Sequence, residues 1–292
     1  MTTQIKLDDA CLAPVEDGGD GTNGLAEDLA CLRLSIVNCL FYGRPGSDGW
    51  VLIDTGLASS AATIRDRASR RFGGARPAAI ILTHGHFDHV GSAAALAEEW
   101  DVPIYAHMLE RPYLDGTAAY PPADPRVGGG LMTLLSPLYP TGPVDLGARL
   151  RPLPQDGSVP AMPEWRWLHT PGHAPGHVSL WRERDGLLAA GDAVIATGQE
   201  SAYEVMVQQP EMHGPPRYFT PDWAAAHRSV QLLAALGPQL LVTGHGPALA
   251  GQGMGRALFR LARDFEDIAV PRGGRYVRDP ATAENGSAYR QP

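Results

Sequence analysis

Residues 83–91 read THGHFDHVG and put four side chains with metal-binding chemistry, His84, His86, Asp88 and His89, within six positions. Histidines that serve only packing rarely cluster this closely. The segment continues a short apolar run, AAIILT over 78–83, whose length and flanks suit a buried strand. Gly85 inside the cluster argues for a loop at the end of that strand. In extended backbone, residues i and i+2 share a face, so His84 and His86 can hold one ion. A turn at Asp88 and His89 sends those two side chains toward a second ion beside it. Imidazole and carboxylate donors suit zinc, with iron or manganese as alternatives.

Three further positions, distant in sequence, have the same character. His173 lies in TPGHAPGH (170–177), just after the strand-like WRWLHT (165–170). Asp192 ends LLAAGD (187–192), and His245 ends LLVTGH (240–245). Each stands beside a glycine, Gly172, Gly191 or Gly244, which lets backbones approach without side-chain obstruction. Metal-binding residue types at the ends of several apolar strands are what a shared metal rim requires.

The rest of the chain supplies a scaffold for that rim. Residues 1–28 are polar and read as a loose N-terminal arm. Apolar, β-prone runs at 29–42 and 50–57 suggest a hairpin. Ser59 or Ser60 caps a helix to about residue 72, and a helix near 91–100 precedes the strand at 102–107. Residues 111–164 are rich in Pro, Gly and Tyr, with one apolar patch, GGGLMTLLSPLYP (128–140). A connection this long is usually functional. It reads as a lid, a pocket wall or a dimer contact. Strands resume at 165–170, 178–183 and 187–194, and a second irregular stretch covers 196–219. Thr220 and Pro221 open a helix to about residue 236, and another helix covers 253–268. The polar tail, 271–292, reads as frayed. Two β-rich halves, each followed by helices, predict an α/β domain over 29–270, with two sheets face to face and helices outside.

Composition excludes other classes. The chain has 292 residues, a net charge of −8 and 44% hydrophobic residues, which describes an ordinary globular protein. Its 34 glycines and 26 prolines, about a fifth of the chain, point to many shaped loops. The arginines are scattered and outnumbered by acids, so no nucleic-acid partner is expected. No apolar run reaches about 18 residues, so no membrane span is expected, and no signal peptide is visible. Cys11, Cys31 and Cys39 make neither a disulfide framework nor a zinc-finger spacing and suit a reducing cytoplasm.

Taken together, LIDTG (52–56), THGHFDHVG, TPGHAPGH, AAGD (189–192) and TGHG (243–246) resemble the metallo-β-lactamase-fold hydrolase superfamily over roughly residues 30–250. The resemblance implies an αββα sandwich of two mixed β-sheets with a metal cleft along one edge. It implies two divalent metal ions, zinc first. One is held by His84, His86 and His173, the other by Asp88, His89 and His245, with Asp192 bridging. Asp54 matches a carboxylate that steadies ligand histidines. The implied chemistry is attack by a metal-bridging hydroxide on a carbonyl. Asp192 argues against β-lactam hydrolysis, because true lactamases with this motif generally lack the bridging aspartate.

TPGHAPGHVSL is most similar to glyoxalase II thioesterases and quorum-quenching lactonases, so a small ester, lactone or thioester is the expected substrate. Lactonases of this kind place a tyrosine near the metals, and Tyr203 or Tyr218 can serve. Met132, Leu134, Leu135, Leu138, Tyr139 and His213 are candidate pocket residues, and a homodimer is the competing use of the apolar patch. The alternatives are a mononuclear iron enzyme like the persulfide dioxygenases, or a β-lactam or phosphoester hydrolase of the same fold.

Overall fold

The computed structural model describes residues 4–292. Eight strands form the first sheet in chain order: Glu16–Asp17, Asn23–Ala26, Leu29–Arg33, Asn38–Tyr42, Val51–Ile53, Ala79–Ile81, Ile104–Ala106 and Leu150–Pro152. Pairing is antiparallel as far as Val51–Ile53 and parallel from there on. The second sheet has six strands: Ser158–Val159, Met162–His169, Val178–Arg182, Leu187–Ala189, Leu240–Val242 and Leu249–Ala250. Within it only Leu187–Ala189 and Leu240–Val242 run parallel.

Strand periodicity sorts the apolar residues into three layers. Val51, Ile53, Ala79 and Ile81 face Trp165, Val178, Leu180, Ala189 and Val242 across the gap between the sheets. Leu52 and Ile80 point the other way, onto Ile64 and Leu96 of helices Ala61–Phe72 and Ala93–Trp100. On the far side, Leu188 and Leu241 meet Val230 and Leu258 of helices Trp223–Ala235 and Gly251–Arg263. The result is the expected helix–sheet–sheet–helix sandwich.

Both chain ends depart from expectation. The region read as a loose arm contributes two strands to the edge of the first sheet, and Ile5–Lys6 pairs with Glu211–Met212. Asp20 of that region makes a buried ion pair with Arg71, N···O 3.1 Å. The tail read as frayed is docked. Tyr276 and Ala288 are buried, the Tyr113 hydroxyl donates to Ala288 O at 2.9 Å, and Ala119 pairs with Arg290. Backbone hydrogen bonding orders both ends despite their polar composition. Cys11, Cys31 and Cys39 are free and buried. Among the described residues, no helix is long and apolar enough to cross a membrane.

Candidate metal centre

The loops at one edge of the sandwich carry the seven candidate ligands. After Ala79–Ile81 the chain bends at Thr83, is extended at His86 and then makes a single helical turn, Phe87–Val90. The N–H groups of His89 and Val90 both donate to His86 O, at 2.9 and 3.1 Å. That turn swings Asp88 and His89 away from the His84 and His86 direction. Thr170 N donates to His177 O at 2.9 Å and closes the loop that bears His173. Gly244 N donates to Gly191 O at 2.9 Å and ties the His245 loop to the Asp192 loop.

Three groups of donors converge: His84, His86 and His173; His84, His89 and Asp192; and Asp88, His89 and His245. Within each group the donor atoms lie within 4.8 Å of one another, and every residue is buried. His86 Nδ1 and His173 Nε2 face each other at 2.8 Å. Asp192 stands between the sets. Its Oδ2 is 3.1 Å from His245 Nε2 and 3.5 Å from His173 Nε2, and its Oδ1 is 3.5 Å from His89 Nε2. Asp88 Oδ2 is 3.5 Å from His245 Nε2.

The donor set fits cations. His84 Nε2, His89 Nε2 and Asp192 Oδ1 are buried with no hydrogen-bond partner, where buried polar atoms are normally paired. Burial and the neighbouring imidazoles hold His84 and His173 well below the usual histidine range, and burial takes His86 to about 3. These rings are therefore neutral, the form that binds metal. On the other side burial opposes charge on His89 and His245. Asp192, reinforced by Asp88 and for His89 also by Asp54, overrides it and raises both. That half of the cluster carries a negative field that calls for positive charge.

Surrounding groups fix which nitrogen points inward. His89 Nδ1 donates to Asp54 Oδ2 at 2.8 Å, and His245 Nδ1 donates to Ile36 O at 2.5 Å. Thr83 Oγ1 donates to Asp54 Oδ2 at 2.8 Å, so at 3.0 Å it accepts from His84 Nδ1. Asp54 thus steadies two candidate ligand rings at once. His177 Nε2 accepts from Asp192 N at 2.8 Å, and its Nδ1 donates to Thr170 Oγ1 at 2.9 Å.

The candidate substrate residues separate into two groups. Tyr218 is buried beside Phe219, whose ring stacks on His86 with centroids 4.8 Å apart. Tyr139 packs on Phe87, Tyr218 and Phe219, and its hydroxyl donates to Met132 O at 3.1 Å. Tyr203 is 62% exposed on helix Ala202–Val207 and is not brought to the cluster. Leu134 and Leu135 are also exposed, because the short helix Leu131–Leu135 buries Thr133 and turns these leucines outward, and Leu138 is exposed at the end of the following turn, Ser136–Leu138, which buries Ser136. His213 pairs with Glu200, N···O 3.1 Å, in a separate network with Arg217. The sequence reading missed Glu110 and Tyr120. Both are buried, and both bond to Gly85 N, between two of the candidate ligands. A lone Glu in MLERPYL carries no signal of that role.

Comparison with known proteins identifies the family and the fold. The sequence model of the metallo-beta-lactamase superfamily matches residues 32–245. A probable metallo-hydrolase of Bacillus subtilis (strain 168), YflN, is 46% identical over 245 residues, covering 83% of this chain and 93% of the relative. Among solved structures, a beta-lactamase domain protein from Burkholderia ambifaria superposes with a TM-score of 0.62 at 23% identity, over 87% of this chain and 75% of that one. TTHA1623, solved in a di-iron-bound form, gives a TM-score of 0.50 at 26% identity, over 80% of this chain and 96% of that one.

Proposed function

The chain belongs to the metallo-beta-lactamase superfamily, and on that premise we propose a dinuclear hydrolase that cleaves a carbonyl ester, lactone or thioester of a small molecule. The observation that carries this reading is the Asp192 carboxylate, which reaches histidines of both ligand sets. His84, His86 and His173 would hold one ion. Asp88, His89 and His245 would hold the other, with Asp192 shared. Bound there, divalent ions supply Lewis acidity toward a carbonyl oxygen and hydroxide at neutral pH. Zinc is the proposed metal.

The chain's own residues do the rest. Asp54 keeps His89 Nε2 and, through Thr83, His84 Nε2 aimed inward. His177 holds the Asp192 peptide in place. Burial and the nearby carboxylates push the Tyr218 hydroxyl well above its usual range, so it stays protonated. It can therefore donate a hydrogen bond to the oxygen that becomes negative as the carbonyl is attacked. Phe87, Tyr139 and Phe219 form an apolar wall that keeps water away from one side of the site.

Purified protein assayed against lactones, thioesters, phosphoesters and β-lactams tests this. About two divalent ions per chain are expected, with carbonyl-ester or thioester hydrolysis that continues without oxygen. One iron per chain with oxygen consumption would overturn the proposal. Tyr218→Phe is expected to lower kcat roughly a hundredfold with metal content unchanged. An unchanged kcat removes Tyr218 from its role.

A further inference from the structure

We propose that Glu110 is a positioning residue. It clamps the loop of His84 and His86 against the loop of His173, and so sets how tightly that trio holds its ion. The inference rests on the dinuclear reading above.

Glu110 is fully buried at the end of a short helical turn, Met108–Glu110, that follows the strand Ile104–Ala106. Its carboxylate gathers three donors from distant places. Gly176 N donates to Oε1 at 2.7 Å, Gly85 N donates to Oε2 at 2.9 Å, and the Tyr120 hydroxyl donates to Oε2. Gly85 sits between His84 and His86. Gly176 lies three residues after His173. One side chain therefore bonds the backbones of both loops that make up the first ligand group.

The fit is tight from both sides. A Cβ at Gly85 would lie 2.6 Å from the Tyr120 hydroxyl, and one at Gly176 would lie 2.8 Å from both Glu110 Cγ and Glu110 N. Tyr120 extends the clamp to a ligand itself, because its ring lies against the His86 ring with centroids 4.3 Å apart. The three groups that bond this carboxylate are two N–H groups and a phenol, none of them a cation. Burial pushes its pKa up to about 7. None of its three bonds reaches Asp88, His89 or His245, and His89 and His245 have their own supports in Asp54 and Ile36 O.

Selectivity between the two ions follows. In Glu110→Gln one oxygen becomes an NH2 group, which cannot accept. Either Gly176 N, or Gly85 N and the Tyr120 hydroxyl, then faces a donor. Metal-free protein titrated with zinc against a competing chelator reads this directly. Glu110→Gln is expected to weaken one of two equivalents by roughly tenfold or more, the scale for groups that orient metal ligands, and to leave the other within about twofold. The loss should persist in a His245→Ala background and vanish in a His173→Ala background, because coupled residues are non-additive.

Equal weakening of both equivalents, or none, overturns the proposal. Wild-type protein that takes up fewer than two equivalents overturns instead the dinuclear reading beneath it. If Glu110→Gln fails to fold, Tyr120→Phe keeps both N–H bonds to the carboxylate and removes the phenol, which donates to Glu110 and accepts from Gly85 N. It is expected to weaken the same equivalent by roughly threefold, and unaltered zinc binding in that variant overturns the clamp.

Discussion

Asp192→Asn is expected to lower kcat/KM by about a thousandfold or more and to cost the protein at least one of its ions, while the fold persists. The carboxylate is buried, which disfavours its charge, yet His245 and His89 hold it ionised, well below the usual carboxylate range. Its two oxygens face His89, His173 and His245. Asparagine keeps the shape and leaves the bond from the residue 192 N–H to His177 untouched. It removes the negative charge and turns one acceptor into a donor pointed at imidazole nitrogens. The loss is therefore electrostatic and local. Metal per chain, steady-state kinetics and circular dichroism on the same sample check it. A variant that keeps two ions and a tenth of the activity would refute the shared-carboxylate role.

Ligand candidates were visible in the sequence because each stands where an apolar strand stops. Residues 79–83, 187–192 and 241–245 are buried throughout, and such runs announce themselves by continuity rather than alternation. Asp54 was legible only through the resemblance that LIDTG carries. Its grip on His89 and Thr83 joins parts of the chain about 30 residues apart and needed coordinates.

What stayed hidden has a common cause. Glu16–Asp17 and Ile5–Lys6 are two-residue strands, too short for periodicity, and exist because a partner edge accepts them. Leu134 and Leu138 looked like pocket lining because composition cannot say which side of two successive short helical turns faces inward. Glu110 bonds groups 25 and 66 residues away. No local pattern records such a contact.

Gly244→Ala is expected to inactivate the enzyme by steric means alone. A Cβ at residue 244 would lie 2.0 Å from Asp192 Oδ1 and 2.8 Å from His89 Cε1. Of these neighbours, the His89 ring and the Asp192 backbone are not free to retreat. His89 is held by Asp54, and the Asp192 backbone is held by His177. The glycine's own backbone is pinned as well. Its N–H donates to Gly191 O at 2.9 Å, and its carbonyl accepts from Asn38 N at 2.8 Å. The Asn38 amide also grips Thr243 O at 2.9 Å and Gly246 O at 2.8 Å. The Asp192 carboxylate is left as the part that must rotate, away from both ligand sets. Activity should fall by about a hundredfold or more with loss of metal, and overpacking should cost roughly 1–3 kcal/mol of stability. Gly255→Ala is the matched control. It lies in helix Gly251–Arg263 with no atom near its added methyl, so it should stabilise the helix by roughly 0.5–1 kcal/mol and leave turnover intact. Denaturant midpoints and metal content for the pair separate crowding at the site from any general intolerance of alanine. Wild-type activity in Gly244→Ala would mean that the Asp192 carboxylate is free to work from another position.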